Sequence, residues 1–110
     1  ERLHEKAYLN AYTYYKTGKY KSAIVAFKNA LKQYPESKRR EEIMYLIVDS
    51  GYRLASNSIS EKQTDRYLSM LDSYLSFKEE FPESTHIKSL ARMAQQARDY
   101  LDRNNKDNNI

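Results

Sequence analysis

The sequence predicts an all-α fold: a short helical solenoid of five antiparallel helices, two helix-turn-helix units followed by a terminal capping helix. Three observations predict it. Gly and Pro occur only twice each in 110 residues, so long helices run with few internal breakers. Apolar residues recur at three- and four-residue spacing, the period of a helix with one buried face. Two segments also end alike, Leu31-Lys32-Gln33-Tyr34-Pro35-Glu36-Ser37 and Phe77-Lys78-Glu79-Glu80-Phe81-Pro82-Glu83-Ser84. Each sets an aromatic residue before Pro-Glu-Ser at a helix end, and such an internal repeat is the mark of stacked helical units.

The first helix is expected over about residues 2–17. Ala7, Ala11 and Tyr14 form one stripe, and Tyr8, Tyr12 and Tyr15 form a second, one residue on. Thr17-Gly18-Lys19 ends it, with Gly18 as the left-handed residue just past the helix. The second helix, about 20–34, buries Tyr20, Ala23, Ile24, Phe27, Ala30 and Leu31, and Pro35 stops it. A two-residue link makes these helices antiparallel neighbours. Ser37 is the expected N-cap of a third helix, about 38–55. Its apolar stripe, from Ile43 to Ala55, is the widest in the chain, so this helix should be the most buried. Gly51 inside it costs about 1 kcal/mol relative to Ala, which a close helix crossing would justify.

Asn57-Ser58-Ile59-Ser60 reads as a loop, and Ser60-Glu61-Lys62-Gln63 has the pattern of a capping box. The fourth helix should run to about Phe81, ahead of Pro82. Ser84 or Thr85 should cap the fifth, about 86–103, with Ile87, Leu90, Ala91, Ala94, Ala97 and Leu101 inward. The units are thus about 2–35 and 38–82, with a capping helix at 85–103. The polar residues 104–110 are expected to be disordered.

Composition removes several function classes. Net charge is +4, but 19 basic and 15 acidic residues are interspersed. The densest basic cluster, Lys38-Arg39-Arg40, is followed at once by Glu41-Glu42, which does not suit a nucleic-acid groove. No run approaches the ~20 apolar residues of a membrane span. Without cysteine there is no disulfide, thiolate metal site or Cys–His nucleophile. His4 and His86 are the only histidines, and no phosphate loop, GxSxG or HExxH occurs. The carboxylate pairs Glu41/Glu42, Glu79/Glu80 and Asp99/Asp102 sit among Lys and Arg on helix surfaces. No catalytic, cofactor-binding or metal-binding residue is assigned, and the chain is not expected to be an enzyme.

The first unit resembles the tetratricopeptide (TPR) family. Ala7, Ala11, Tyr14, Ala23, Phe27, Ala30 and Pro35 fall in that family's register, with Gly18-Lys19-Tyr20 at its inter-helix turn. The second unit departs from it: Met70, Tyr74, Phe77 and Pro82 stand where Ala, Phe, Ala and Pro would be. Pro35 and Pro82 are 47 residues apart, against ~34 for a TPR unit. Bulk in place of smallness predicts helices set further apart. A regular unit, a stretched unit whose helix opens Ser60-Glu61-Lys62-Gln63-Thr64-Asp65-Arg66-Tyr67, then Phe81-Pro82-Glu83-Ser84 and an Ala-rich helix together resemble one group more narrowly. They are similar to the C-terminal half of the BamD family, lipoproteins of the outer-membrane β-barrel assembly machinery, in the form found in Bacteroidetes, over about residues 3–103.

That resemblance implies a non-catalytic scaffold at the periplasmic face of the outer membrane. Its partners would be the periplasmic domains of a BamA-like barrel-forming subunit and other subunits of the machinery. The membrane would be met only through an N-terminal lipid anchor outside this chain, which opens on Glu1-Arg2 and reads as part of a longer protein. The alternative is a generic TPR adaptor that grips an extended peptide in its concave groove. TPR first helices line the concave surface, which puts Glu5, Tyr8, Tyr12 and Tyr15 there as candidate partner-binding residues. From the residues alone, the Tyr stripe serves equally well as packing for a preceding repeat. Lys38, Arg39 and Arg40 form a second candidate surface, for a partner with acidic groups: cations at a helix start oppose its dipole. With so few units, the first helix should expose apolar or Tyr surface, which leaves self-association through it open.

Overall fold

The computed structural model describes residues 2–108. All elements among the described residues are helices: α1 (Arg2–Lys16), α2 (Tyr20–Gln33), α3 (Arg40–Ser56), α4 (Ser60–Glu80) and α5 (Ile87–Asn108). Each packs on the next, and α3 also touches α5. The extents are 55 × 29 × 19 Å, and the shortest is about two helix diameters of ~10 Å. The molecule is therefore two helix layers thick, as a TPR-like solenoid is, with α1, α3 and α5 on one side.

Local chemistry accounts for the turns. Gly18 has φ +77°. Its N–H donates to the Tyr15 carbonyl at 3.1 Å, and the Lys19 N–H to that of Tyr14 at 2.9 Å. This pair of bonds is the Schellman cap, which needs a left-handed residue at that point. The two Pro-Glu-Ser segments fold identically. Tyr34 N–H donates to Ala30 and Ser37 N–H to Tyr34; in the later copy Phe81 donates to Phe77 and Ser84 to Phe81, all at 2.8–3.1 Å. Ser37 Oγ then accepts from Arg39 N–H, and Ser84 Oγ from His86 N–H, both at 3.1 Å. Both serines thus cap a lead-in turn, and the helices proper begin a little later than the sequence suggests, at Arg40 and Ile87.

Three other expectations are corrected. The Ser60 capping box does not form: α4 has no side-chain cap at its start, and Gln63 Nε2 donates instead to the Ala55 carbonyl at 3.0 Å. Helix α5 continues past Arg103 to Asn108, because extending an existing helix needs only one residue fixed per hydrogen bond gained; residues 109–110 of the expected tail lie outside the described residues. Finally, α3 and α4 are not held apart at Met70. A Cβ added at Gly51 would lie 3.3 Å from Met70 Cβ, so the small residue of this crossing has moved from the second helix of the unit to the first.

Helix α3 is the centre of the molecule, buried without a break from Leu46 to Gly51. One apolar cluster joins Tyr8, Ala11, Ala23, Phe27 and Ala30 to Ile43, Leu46 and Ile47. The other joins Val48 and Ala55 to Met70, Tyr74, Phe77, Leu90 and Ala94. The first helix does leave apolar surface open, through Leu3 and Leu9, 65% and 52% exposed.

Candidate protein-interaction surface

The side chains of α1 and the start and middle of α3 interlock in one continuous lattice. Rings stack down α1: Tyr8 on Tyr12 with centroids 5.7 Å apart, and Tyr12 on Tyr15 at 5.9 Å. Tyr15 meets Tyr20 edge-on at 5.8 Å. At one end, the Arg39 guanidinium lies over the Tyr8 ring, 4.2 Å from its centroid. It bonds Glu5 through Nε at 3.0 Å and Nη2 at 2.6 Å, and Glu42 through Nη1 at 3.0 Å. At the other end, the Tyr15 hydroxyl donates to Asp49 Oδ1 at 2.9 Å, and Arg53 Nε donates to the same oxygen at 2.6 Å. The face continues to α5: Tyr45 stacks flat on His86 at 3.8 Å, and the Tyr52 hydroxyl donates to Gln96 Oε1.

These contacts set the charge states. The hydrogen bond from Arg39 holds the Glu5 carboxyl below the usual glutamate range. Burial, with Glu42 second, pushes the Tyr8 phenol up to about 12. Burial and then the bond to Asp49 push Tyr15 up as well. Near neutral pH the Tyr8 and Tyr15 phenols therefore keep their protons, and the Glu5 carboxyl is ionised against the Arg39 guanidinium. Among the described residues, no group of three or more His, Asp or Glu is placed to hold a metal ion. No helix among them is long and apolar enough to cross a membrane.

The candidate residues separate on this geometry. Glu5, Tyr8, Tyr12, Tyr15 and Arg39 do come together. Tyr8, however, is only 5% exposed and belongs to the core, and Tyr15 packs on Tyr20 of α2 and bonds Asp49 of α3. Tyr12 and Tyr15 are half-buried, and Lys38 is exposed. Arg40 points elsewhere: it bonds Glu80 through Nε and, at 3.0 Å, through Nη2, while Nη1 donates to the Pro35 carbonyl at 3.1 Å. Arg40 thus ties the end of one unit to the end of the next, and Glu80 is held below its usual range by it. Ser84 Oγ, donating to Glu41 Oε2 at 2.7 Å, closes the same seam.

Sequence reasoning missed Asp49, Arg53, Tyr45 and His86. Asp49 was detectable as a carboxylate directly after the apolar run Leu46-Ile47-Val48, four residues ahead of Arg53 on the same helix face.

A stacked helical repeat with an aromatic and ionic face leaves many families open, and comparison narrows them. The profile of YfiO, a family described as outer membrane lipoprotein, matches residues 1–106. The chain belongs to the YfiO family. The match covers both units and nearly all of α5, so the BamD-like reading extends over the whole helical array. No individual curated protein matches significantly.

Proposed function

We propose that this YfiO-family chain is a non-catalytic scaffold of the machinery that assembles β-barrels in the outer membrane. It acts at the periplasmic face and docks on the periplasmic domains of a BamA-like barrel-forming subunit. The observation that carries this reading is the Tyr12-centred lattice. Its rings and ions are already held by neighbours, so a partner that covers them orders few new side chains, which is what favours affinity at a rigid surface. Half-buried Tyr and Arg are also the residue types that dominate binding energy. The mechanism is presentation of a surface, with no chemical step.

The test is retention of purified BamA-like periplasmic domains by the immobilised chain. Tyr12→Ala and Lys38→Glu alter side chains that reach solvent, so the fold should survive. Together they should weaken retention at least tenfold. Failure of the unaltered chain to retain those domains would refute the partner; undiminished retention by the double variant would refute the surface. The parent gene offers a second check: a signal peptide ending in a lipid-modifiable Cys ahead of these residues supports the anchor, and a cytosolic start counts against it.

A further inference from the structure

Helix α4 carries a second surface, on the side turned away from the core. Its buried row is Tyr67, Met70, Tyr74 and Phe77. Along the side of that row lie Leu68 and Leu75, 49% and 52% exposed, and between them the half-buried Leu71, whose inner edge packs against the core. The 68–71–75 spacing alternates three and four residues, which is the seam by which one helix receives the side chains of another. Asp65, Asp72 and Glu79 follow along one flank at seven-residue intervals, all exposed. None of them takes part in an ion pair among the described residues. In a chain of net charge +4, an all-acidic flank is a local feature rather than a reflection of overall composition.

We infer that this face docks one amphipathic helix of a partner protein, apolar along its seam and carrying Lys or Arg at seven-residue spacing on the facing flank. Flank charges of paired helices select the partner by sign, which is what makes the occupant basic. Helix α4 has 21 residues and is about 30 Å long, enough to hold such a helix over its full contact. A second copy of this chain fits less well. Its α2 presents Lys21 and Lys28 at the same spacing, but Val25 is the one strongly exposed large apolar side chain beside them, too short a seam to match three leucines. This surface is distinct from the α1–α3 lattice and stands or falls independently of it.

The probes are two synthetic helical peptides of about three heptads with Leu along the seam, one with Lys and its twin with Glu on the flank. Binding to the whole chain is read by fluorescence anisotropy. The Lys peptide should bind at least ~10-fold more tightly than the Glu twin. Leu68→Ala/Leu75→Ala should weaken it ~10-fold with little change in helix content, since both side chains are half in solvent. Asp65→Lys/Asp72→Lys/Glu79→Lys should reverse the preference. Equal binding of the two peptides overturns the proposal. So does an unchanged affinity in the leucine variant, which would reduce the effect to charge alone. Sedimentation showing an oligomer that the leucine variant abolishes would also overturn it, assigning the seam to a second copy.

Discussion

Replacing Tyr15 with Phe removes one oxygen and leaves the ring stack on Tyr12 and Tyr20 in place. That oxygen donates to Asp49, a carboxylate only 2% exposed. A hydrogen bond to a charged group contributes about 1.5–3 kcal/mol, and its loss leaves part of the carboxylate buried without a partner. Arg53 still bonds the same oxygen, so the lower half of that range, about 2 kcal/mol, is the expected cost. With ~2.1 cal/mol/K per residue of unfolding entropy, each kcal/mol lowers the melting temperature of a chain this size by about 4 °C. Tyr15→Phe should therefore melt about 8 °C lower, measured by circular dichroism and checked by urea titration at unchanged slope. In an Asp49→Ala background the same substitution should cost under ~0.5 kcal/mol, because the acceptor is gone. A Tyr15→Phe loss below ~0.5 kcal/mol in the native background, or equal losses in both backgrounds, would refute the claim that this bond ties α1 to α3.

Three further predictions follow from the same packing. Ser50 Oγ is fully buried and has no hydrogen-bond partner among the described residues; Ser50→Ala should stabilise the chain by about 1 kcal/mol, read as a raised urea midpoint. Gly51→Val would drive a branched side chain into Met70, whose Cβ and Cα would be 3.3 and 3.5 Å from the new Cβ, and should destabilise by roughly 2–3 kcal/mol. Burial raises the Tyr8 phenol from 10.0 to about 12, so the unfolded chain loses this proton first as pH rises. The stabilisation is complete below pH 10 and is lost between pH 10 and about 12. Over that window Tyr8→Phe should remove roughly 1.4 kcal/mol per pH unit from the alkaline fall in stability.

Which features could be read from the sequence follows from the range of the interactions that make them. The Gly18 cap and both Pro-Glu-Ser turns are local: each hydrogen bond spans a few residues, so the residue types dictate the geometry and the repeat shows in the sequence. The stripe of Tyr8, Tyr12 and Tyr15 was legible as a stripe, but not its destination, since the Tyr15 acceptor lies 34 residues away. The contacts of the basic cluster at 38–40 were hidden for the same reason. Its neighbours in sequence are Glu41 and Glu42, yet Arg39 reaches back 34 residues to Glu5 and Arg40 forward 40 to Glu80. Cations that oppose a helix dipole suggested an external acidic partner, whereas for Arg39 and Arg40 the acids are internal. The Ser60 capping box failed in the opposite direction: the local pattern was present, but the Ala55 carbonyl at the preceding helix end claimed Gln63.

These distant pairs also bear on the scaffold reading. Arg40 holds the Pro35 carbonyl at the end of the first unit and Glu80 at the end of the second, while Arg39 holds Glu5 at the start of α1. Adjacent arginines thus pin both units to the start of α3, the most buried helix. A solenoid whose units were joined only by apolar packing could slide at that junction; directional bonds from planar guanidinium groups restrict it. Restricting that slide would keep the α1–α3–α5 face and the outer side of α4 in a fixed relation, which is what the proposed scaffold requires.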